Sequence, residues 1–215
     1  MKEPLDNILS HPRIWRGRHA PRAIQTLPTG HPSLDGVLPG GGWPRSGLIE
    51  ILVERWGTGE VRLIVPLLRH FSGQHTAVSD GRGWIAWIGP PYVPYAPALA
   101  DAGVDVNRIL LVHARDDREA LWASEQALRS TGCEVVLGWA EKSDNASLRR
   151  LQLAAEENGL PVILFRPVRA LDNPSPAALR LHLPAGADAR LAVVKGRGGR
   201  PAGFPVRDLF DPIDA

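Results

Sequence analysis

The fold is decided by residues 48–72, LIEILVERWGTGEVRLIVPLLRHFS. LIEILV, at 48–53, is a compact apolar run with one internal glutamate, and a run of that length closed by turn residues reads as a buried strand. Beyond the loop ERWGTGE the apolar positions Val61, Ile64, Val65, Leu68 and Phe71 fall at helical spacing, with Pro66 in the first two turns. Strand, glycine loop, helix is the repeating unit of a parallel sheet.

Downstream the unit recurs. GWIAWIG (83–89) reads as a second strand, followed by the turn-rich PPYVPYAP, a short helix in APALADAG and a third strand in RILLVHA, 108–114. DREALWASEQALRSTG (117–132) reads as a helix with Leu121, Trp122, Gln126 and Leu128 near one side and Gly132 as its stop. EVVLGW (134–139) is a fourth strand, NASLRRLQLAAEENG (145–159) a helix capped by Asn145 or Ser147 and stopped by Gly159, and PVILFRP (161–167) a fifth strand. The alternation predicts an α/β fold, a mainly parallel sheet with helices on both faces. ALRLHLPA and ARLAVVKGRG then predict an antiparallel C-terminal pair turning around Gly186. Upstream, LPTGHPSLDGVLPGGGWPRSG (27–47) permits only short regular structure, with Ser33 capping one turn over Leu34–Val37. Residues 1–25 form a basic arm with Arg13, Arg16, Arg18, Arg22 and one large anchor, Trp15; the core spans 26–205 and a tail covers 206–215.

Composition bounds the rest. The 215 residues are 44% hydrophobic and 22% charged, the balance of an ordinary globular domain rather than a disordered or fibrous chain. A single cysteine, Cys133, excludes an internal disulfide and suits a reducing cytoplasm, the expected location. MKEPLDNILSHPRIWRGR contains no apolar signal core, so neither secretion nor a membrane partner is expected. Net charge is +2, with arginine supplying all cations except Lys2, Lys142 and Lys195.

The loop after the first strand is where a parallel sheet binds ligand. A phosphate-gripping loop needs GxxxxGK[ST], with converging amides, a lysine for the terminal phosphates and a hydroxyl for magnesium. Here Gly57 and Gly59 remain, but Glu60 stands at the lysine position and Val61 at the hydroxyl position. A carboxylate facing a triphosphate repels it, and a plain strand-to-helix turn explains GTG as well. The acid expected at the end of EVVLG is replaced by Gly138, and Glu141 and Asp144 nearby read as solvated. The seven histidines show no HxxxH spacing, and GxSxG is absent, so no metal, cofactor or nucleophile is expected. Two interaction candidates remain. Lys195, Arg197 and Arg200, spaced by glycines, fit single-stranded DNA or a solvated tail. Tyr92 and Tyr95, between prolines, fit an interface or stacking platform, while one of Trp84 and Trp87 belongs in the core.

LPTGHPSLDGVLPGGGWPRSGLIEILVERWGTGEVRL resembles the start of a RecA-type recombinase core, and ALADAGVDVNRILLVHARDDREALWASEQALRSTGCEVVLGW and RLAVVKGRGGRPAGFPV resemble its later segments, so the likeness runs from Leu27 to Phe204. Against that pattern the phosphate-loop lysine falls on Glu60, the magnesium aspartate on Gly138 and the water-activating glutamate on or beside Pro91. With the GTGE loop, the PGGGWP turn and the IWRG arm, the chain is similar to the ImuA family, RecA-like accessory proteins of mutagenic translesion synthesis sometimes described as SulA-like. The resemblance implies SOS induction, no enzymatic activity, and a complex with an ImuB-type inactive Y-family polymerase. Through that complex it implies an error-prone polymerase III alpha-type subunit, with RecA as a further partner. The alternatives are an ATP-dependent DNA-binding NTPase and a SulA-like cell-division inhibitor.

Overall fold

The computed structural model of the chain describes residues 25–72, 83–186, 189–196 and 203–206. In chain order the elements are β1 (Thr26–Leu27), α1 (Pro32–Asp35), β2 (Trp43–Pro44), β3 (Gly47–Val53), α2 (Glu60–Ser72), β4 (Trp84–Ile88), α3 (Ala96–Asp101), β5 (Ile109–Val112), α4 (Asp117–Arg129), β6 (Cys133–Trp139), α5 (Asn145–Asn158), β7 (Pro161–Pro167), β8 (Leu179–Leu183), β9 (Arg190–Gly196) and β10 (Gly203–Pro205). β1 and β2 form a small antiparallel ladder, and the remaining strands form one eight-stranded sheet in the order β10-β9-β8-β3-β7-β6-β4-β5. From β8 to β5 every pairing is parallel, while β8–β9 and β9–β10 are antiparallel. The alternating pattern and the antiparallel C-terminal pair are thus present.

Alternation within the strands sorts the core into two layers. Ile49, Ile51 and Val53 of β3 meet Leu63, Ile64, Leu67 and Leu68 of α2 on one face. Leu48, Val136, Val162 and Leu164 meet Leu121, Leu128, Leu148 and Leu151 of α4 and α5 on the other. No helix among the described residues is long and apolar enough to cross a membrane. Val206, placed by the sequence in the tail, is buried in the first layer, and its N–H donates to the Ala189 carbonyl at 2.8 Å.

The glutamate inside the β3 run is accommodated by charge. Glu50 is fully buried, and its Oε1 accepts from Arg166 Nη1 at 2.6 Å while Oε2 accepts from Arg180 Nε at 2.7 Å. Arg180 also donates to the Ala170 carbonyl at 2.7 Å, so the ion triad ties β3, β7 and β8 to the turn at Val168–Asp172.

Several helix ends depart from the sequence-based expectation. The cap of α5 is Asp144, whose Oδ1 accepts from Ser147 N at 2.6 Å, rather than Asn145 or Ser147; a carboxylate is the stronger acceptor for a helix N-terminus. Ser33 caps nothing: α1 begins at Pro32, whose fixed φ starts the turn without a side-chain acceptor. α4 stops at Arg129, three residues before Gly132, because Ser130 turns extended and its hydroxyl donates to the Ala127 carbonyl at 2.9 Å. Trp122 and Gln126 are exposed, since Leu121, Ser124 and Leu128 define the buried stripe. Pro66 does lie inside α2, and its ring takes up the space beside Gly30: a Cβ there would come within 2.2 Å of Pro66 Cβ, and φ is +80°.

Candidate functional site: a groove at the carboxyl ends of the strands

The loop between β3 and α2 folds back on itself around a carboxylate. Gly57 (φ 78°) and Gly59 (φ 107°) take backbone conformations that favour glycine and turn the loop amides inward. Glu60, the first residue of α2, is 3% exposed; its Oε1 accepts from Gly57 N at 2.8 Å and its Oε2 from Thr58 N at 2.9 Å. The Thr58 hydroxyl donates to the Arg55 carbonyl at 3.0 Å. The sequence suggests a carboxylate facing outward to repel phosphate. The structure has it seated on the loop's own amides, because burial demands donors and those N–H groups are the nearest ones. An anion-binding turn is present, and its anion is covalently part of the chain.

Next to this loop opens a groove of about 810 Å³. One wall is α2 with Val61, Val65 and Arg69; the opposite wall is the 90–95 loop and α3, and the floor carries Trp87 and Trp139 from the ends of β4 and β6. The two indoles have ring centroids 5.6 Å apart, and Trp139 stacks on Phe165 at 4.8 Å. Tyr92 and Tyr95 are 65% and 71% exposed, and Val93 between them is 80% exposed. Tyr92 also abuts the loop: a Cβ on Gly57 would lie 3.2 Å from its Cε2. Of the tryptophan pair in β4, Trp87 is buried in the α2-side layer and Trp84 is exposed; Ala86 and Ile88, of the same parity as Trp84, are buried on the opposite face, so it is Trp84's place as the first residue of the strand that leaves it open.

Gly57, Gly59, Glu60, Pro91, Tyr92 and Tyr95 therefore meet in one place. Gly138 does not join them. A Cβ at Gly138 would point at Ser124 Oγ, 3.1 Å away, and Leu164 Cδ1, 3.2 Å away, on the α4 face of the sheet. The groove-facing end of β6 is Trp139. Glu141 pairs with Arg169 at 2.9 Å and Asp144 caps α5, so both acids after β6 are engaged elsewhere. Lys195 lies on β9, where its Nζ donates to the Ser175 carbonyl at 2.6 Å, outside the groove lining; Arg197 and Arg200 fall outside the described residues, as do residues 1–24 of the basic arm and 207–215 of the tail. Among the described residues no group of three or more His, Cys, Asp or Glu side chains is placed to hold a metal ion.

Sequence reasoning missed Trp139 and Arg69. Trp139 has the parity of Val135 and Leu137, the residues of β6 on the α2 side, and that parity was the available signal. Arg69 carries no such mark, because its place at the groove depends on Gly103 beyond α3: a Cβ there would meet Arg69 Nε at 3.2 Å.

No protein-family profile matches the chain. Protein ImuA of Caulobacter vibrioides is 34% identical over 146 residues, 65% of this chain and 57% of the relative. Cell division inhibitor SulA of Edwardsiella piscicida is 33% identical over 105 residues, 49% of this chain and 58% of the relative. The crystal structure of SulA from Pseudomonas aeruginosa superposes with a TM-score of 0.45 at 28% identity, covering 55% of this chain and 97% of that one. The chain thus spans little more than half the length of the curated relatives it matches. The two sequence relatives agree with the resemblance to the ImuA family and with its SulA-like naming.

Proposed function

We propose, from the similarity to Protein ImuA, that this chain is a non-catalytic accessory protein of SOS-induced mutagenic translesion synthesis, a RecA-like core that acts through protein contacts. Its partner on this reading is an ImuB-type inactive Y-family polymerase, which links it to an error-prone polymerase III alpha-type subunit. RecA and single-stranded DNA are secondary partners, the latter through Lys195, Arg197 and Arg200. The observation that carries the non-catalytic part is Glu60: a carboxylate already bonded to the Gly57 and Thr58 amides denies a triphosphate both its amide donors and its favourable charge. With Val61 where magnesium needs a hydroxyl, the loop supports neither nucleotide binding nor phosphoryl transfer.

The test pairs two measurements on the full-length protein. Co-elution with the ImuB-type polymerase at physiological salt is expected, together with no magnesium-dependent ATP hydrolysis by the chain alone. A well-folded sample that forms no complex removes the adaptor reading. Turnover of ATP that disappears on Glu60→Ala would instead revive an ATP-dependent NTPase.

The SulA-named relatives favour a second reading, a cell-division inhibitor. Filamentation on overproduction without DNA damage, in cells lacking the polymerase partner, would support it over the first.

A further inference from the structure

The groove described above is open, apolar and built in advance. Tyr92, Val93 and Tyr95 expose a contiguous apolar patch above the Trp87–Trp139 floor, and soluble domains seldom leave such a patch bare without a binding role. Pro90, Pro91 and Pro94 restrict the backbone of the loop that presents it, so little conformational freedom remains to be lost when something binds. Tyrosine, tryptophan and arginine are the side chains that dominate protein interfaces.

Charge decides what fits. Arg69 is half-buried at the groove and makes no hydrogen bond or ion pair among the described residues. A desolvated guanidinium favours a carboxylate held in fixed geometry. Nucleic acid needs several cations in a row, and here Glu60 and Asp101 line the same groove as Arg62 and Arg69, cancelling the field a phosphate chain would follow. The chain's own basic arm, with Arg13, Arg16, Arg18 and Arg22, is a poor match for Arg69 on the same ground.

We propose that this groove seats a short segment of a partner protein that brings a bulky apolar side chain to the aromatic lining and a carboxylate to Arg69. The inference rests on the adaptor reading and adds to it the docking site and the chemistry of the docked segment. About 810 Å³ is room for one or two large side chains with their backbone, within the usual span of binding clefts.

The test uses labelled synthetic peptides of one design, an acidic residue flanking Phe and Leu, with two controls: the acid replaced by Lys, and Phe and Leu replaced by Ala. Fluorescence anisotropy with the full chain is expected to detect the acidic apolar peptide and neither control. Arg69→Glu should weaken that peptide about tenfold or more and bring the Lys peptide up to comparable binding, a reversal that a merely misfolded variant would not give. Tyr92→Ala with Tyr95→Ala should weaken binding while leaving the circular dichroism melting curve in place. Absence of binding by every peptide, or equal binding of the acidic and Lys peptides by wild type and Arg69→Glu, overturns the proposal. So does binding that appears only after deletion of residues 1–24, which would assign the groove to the chain's own arm.

Complex formation by the same variants separates this inference from the reading beneath it. Peptide binding with no polymerase complex at all leaves the groove standing and removes the adaptor. A polymerase complex that survives both sets of substitutions leaves the adaptor standing and removes the groove.

Discussion

A carboxylate withdrawn from water must find donors, and Glu60 finds them within its own loop. Glu60→Ala should strand the Gly57 and Thr58 amides and lower stability by about 1–3 kcal/mol, read as a drop in the urea midpoint. Glu60→Lys should gain no magnesium-dependent ATP turnover, because Val61 offers the ion no hydroxyl; turnover by that variant would contradict the account of the loop. Glu50 is the harsher case. Removing it leaves two buried guanidinium groups without their shared anion, so Glu50→Ala should cost about 3–5 kcal/mol by the same measurement. Glu60's departure from a phosphate loop was legible from spacing alone, but its inward turn was not, since spacing carries no rotamer. Glu50 was legible only as an odd residue in an apolar run: its partners lie 116 and 130 residues away, and no local pattern links them.

Elements were legible wherever burial is periodic and obscure where a single side chain sets the boundary. β3, β4, β6, β7 and the helices between them follow from apolar spacing, which packing then enforces on both faces of the sheet. Helix starts depend on which oxygen wins the free amides, and at α5 the winner is one residue upstream of the nearest candidate. Asp144→Ala should therefore cost about 1 kcal/mol in thermal or urea unfolding, whereas Asn145→Ala should be nearly silent. The contact between Gly30 and Pro66 is a second element-scale constraint. Any side chain at Gly30 meets Pro66 and a strained φ together, so Gly30→Ala should destabilise by about 1–3 kcal/mol, and Pro66→Ala should relieve little of it, because alanine keeps the Cβ that makes the 2.2 Å contact. The groove arises at this scale too: its floor is the carboxyl ends of β4 and β6, and its walls are α2 and the proline-rich loop.

For the whole molecule, strand polarity was readable from strand–helix alternation, but strand order was not, because alternation is blind to which strands become neighbours. The fold's response to acid is set in part by His31, beneath α2. Burial, partly opposed by a hydrogen bond with the Leu63 backbone and by Asp35, pushes its imidazole below the ordinary value of about 6.5. Above that value both folded and unfolded forms are neutral; as pH falls below it the unfolded chain takes up a proton that the folded one resists, so stability declines. The melting temperature of the wild type should fall more steeply between about pH 7 and pH 5 than that of His31→Gln, and parallel curves would assign the acid response elsewhere. One consequence concerns how the protein is made. β3 emerges early from the ribosome, but its two neighbours, β7 and β8, and both arginines that neutralise Glu50 belong to residues 161–183. Until that stretch is synthesised the middle strand of the sheet has no edge to join and carries an uncompensated charge, so the nascent chain must wait, open to chaperones and proteases, for its last quarter before the centre can close.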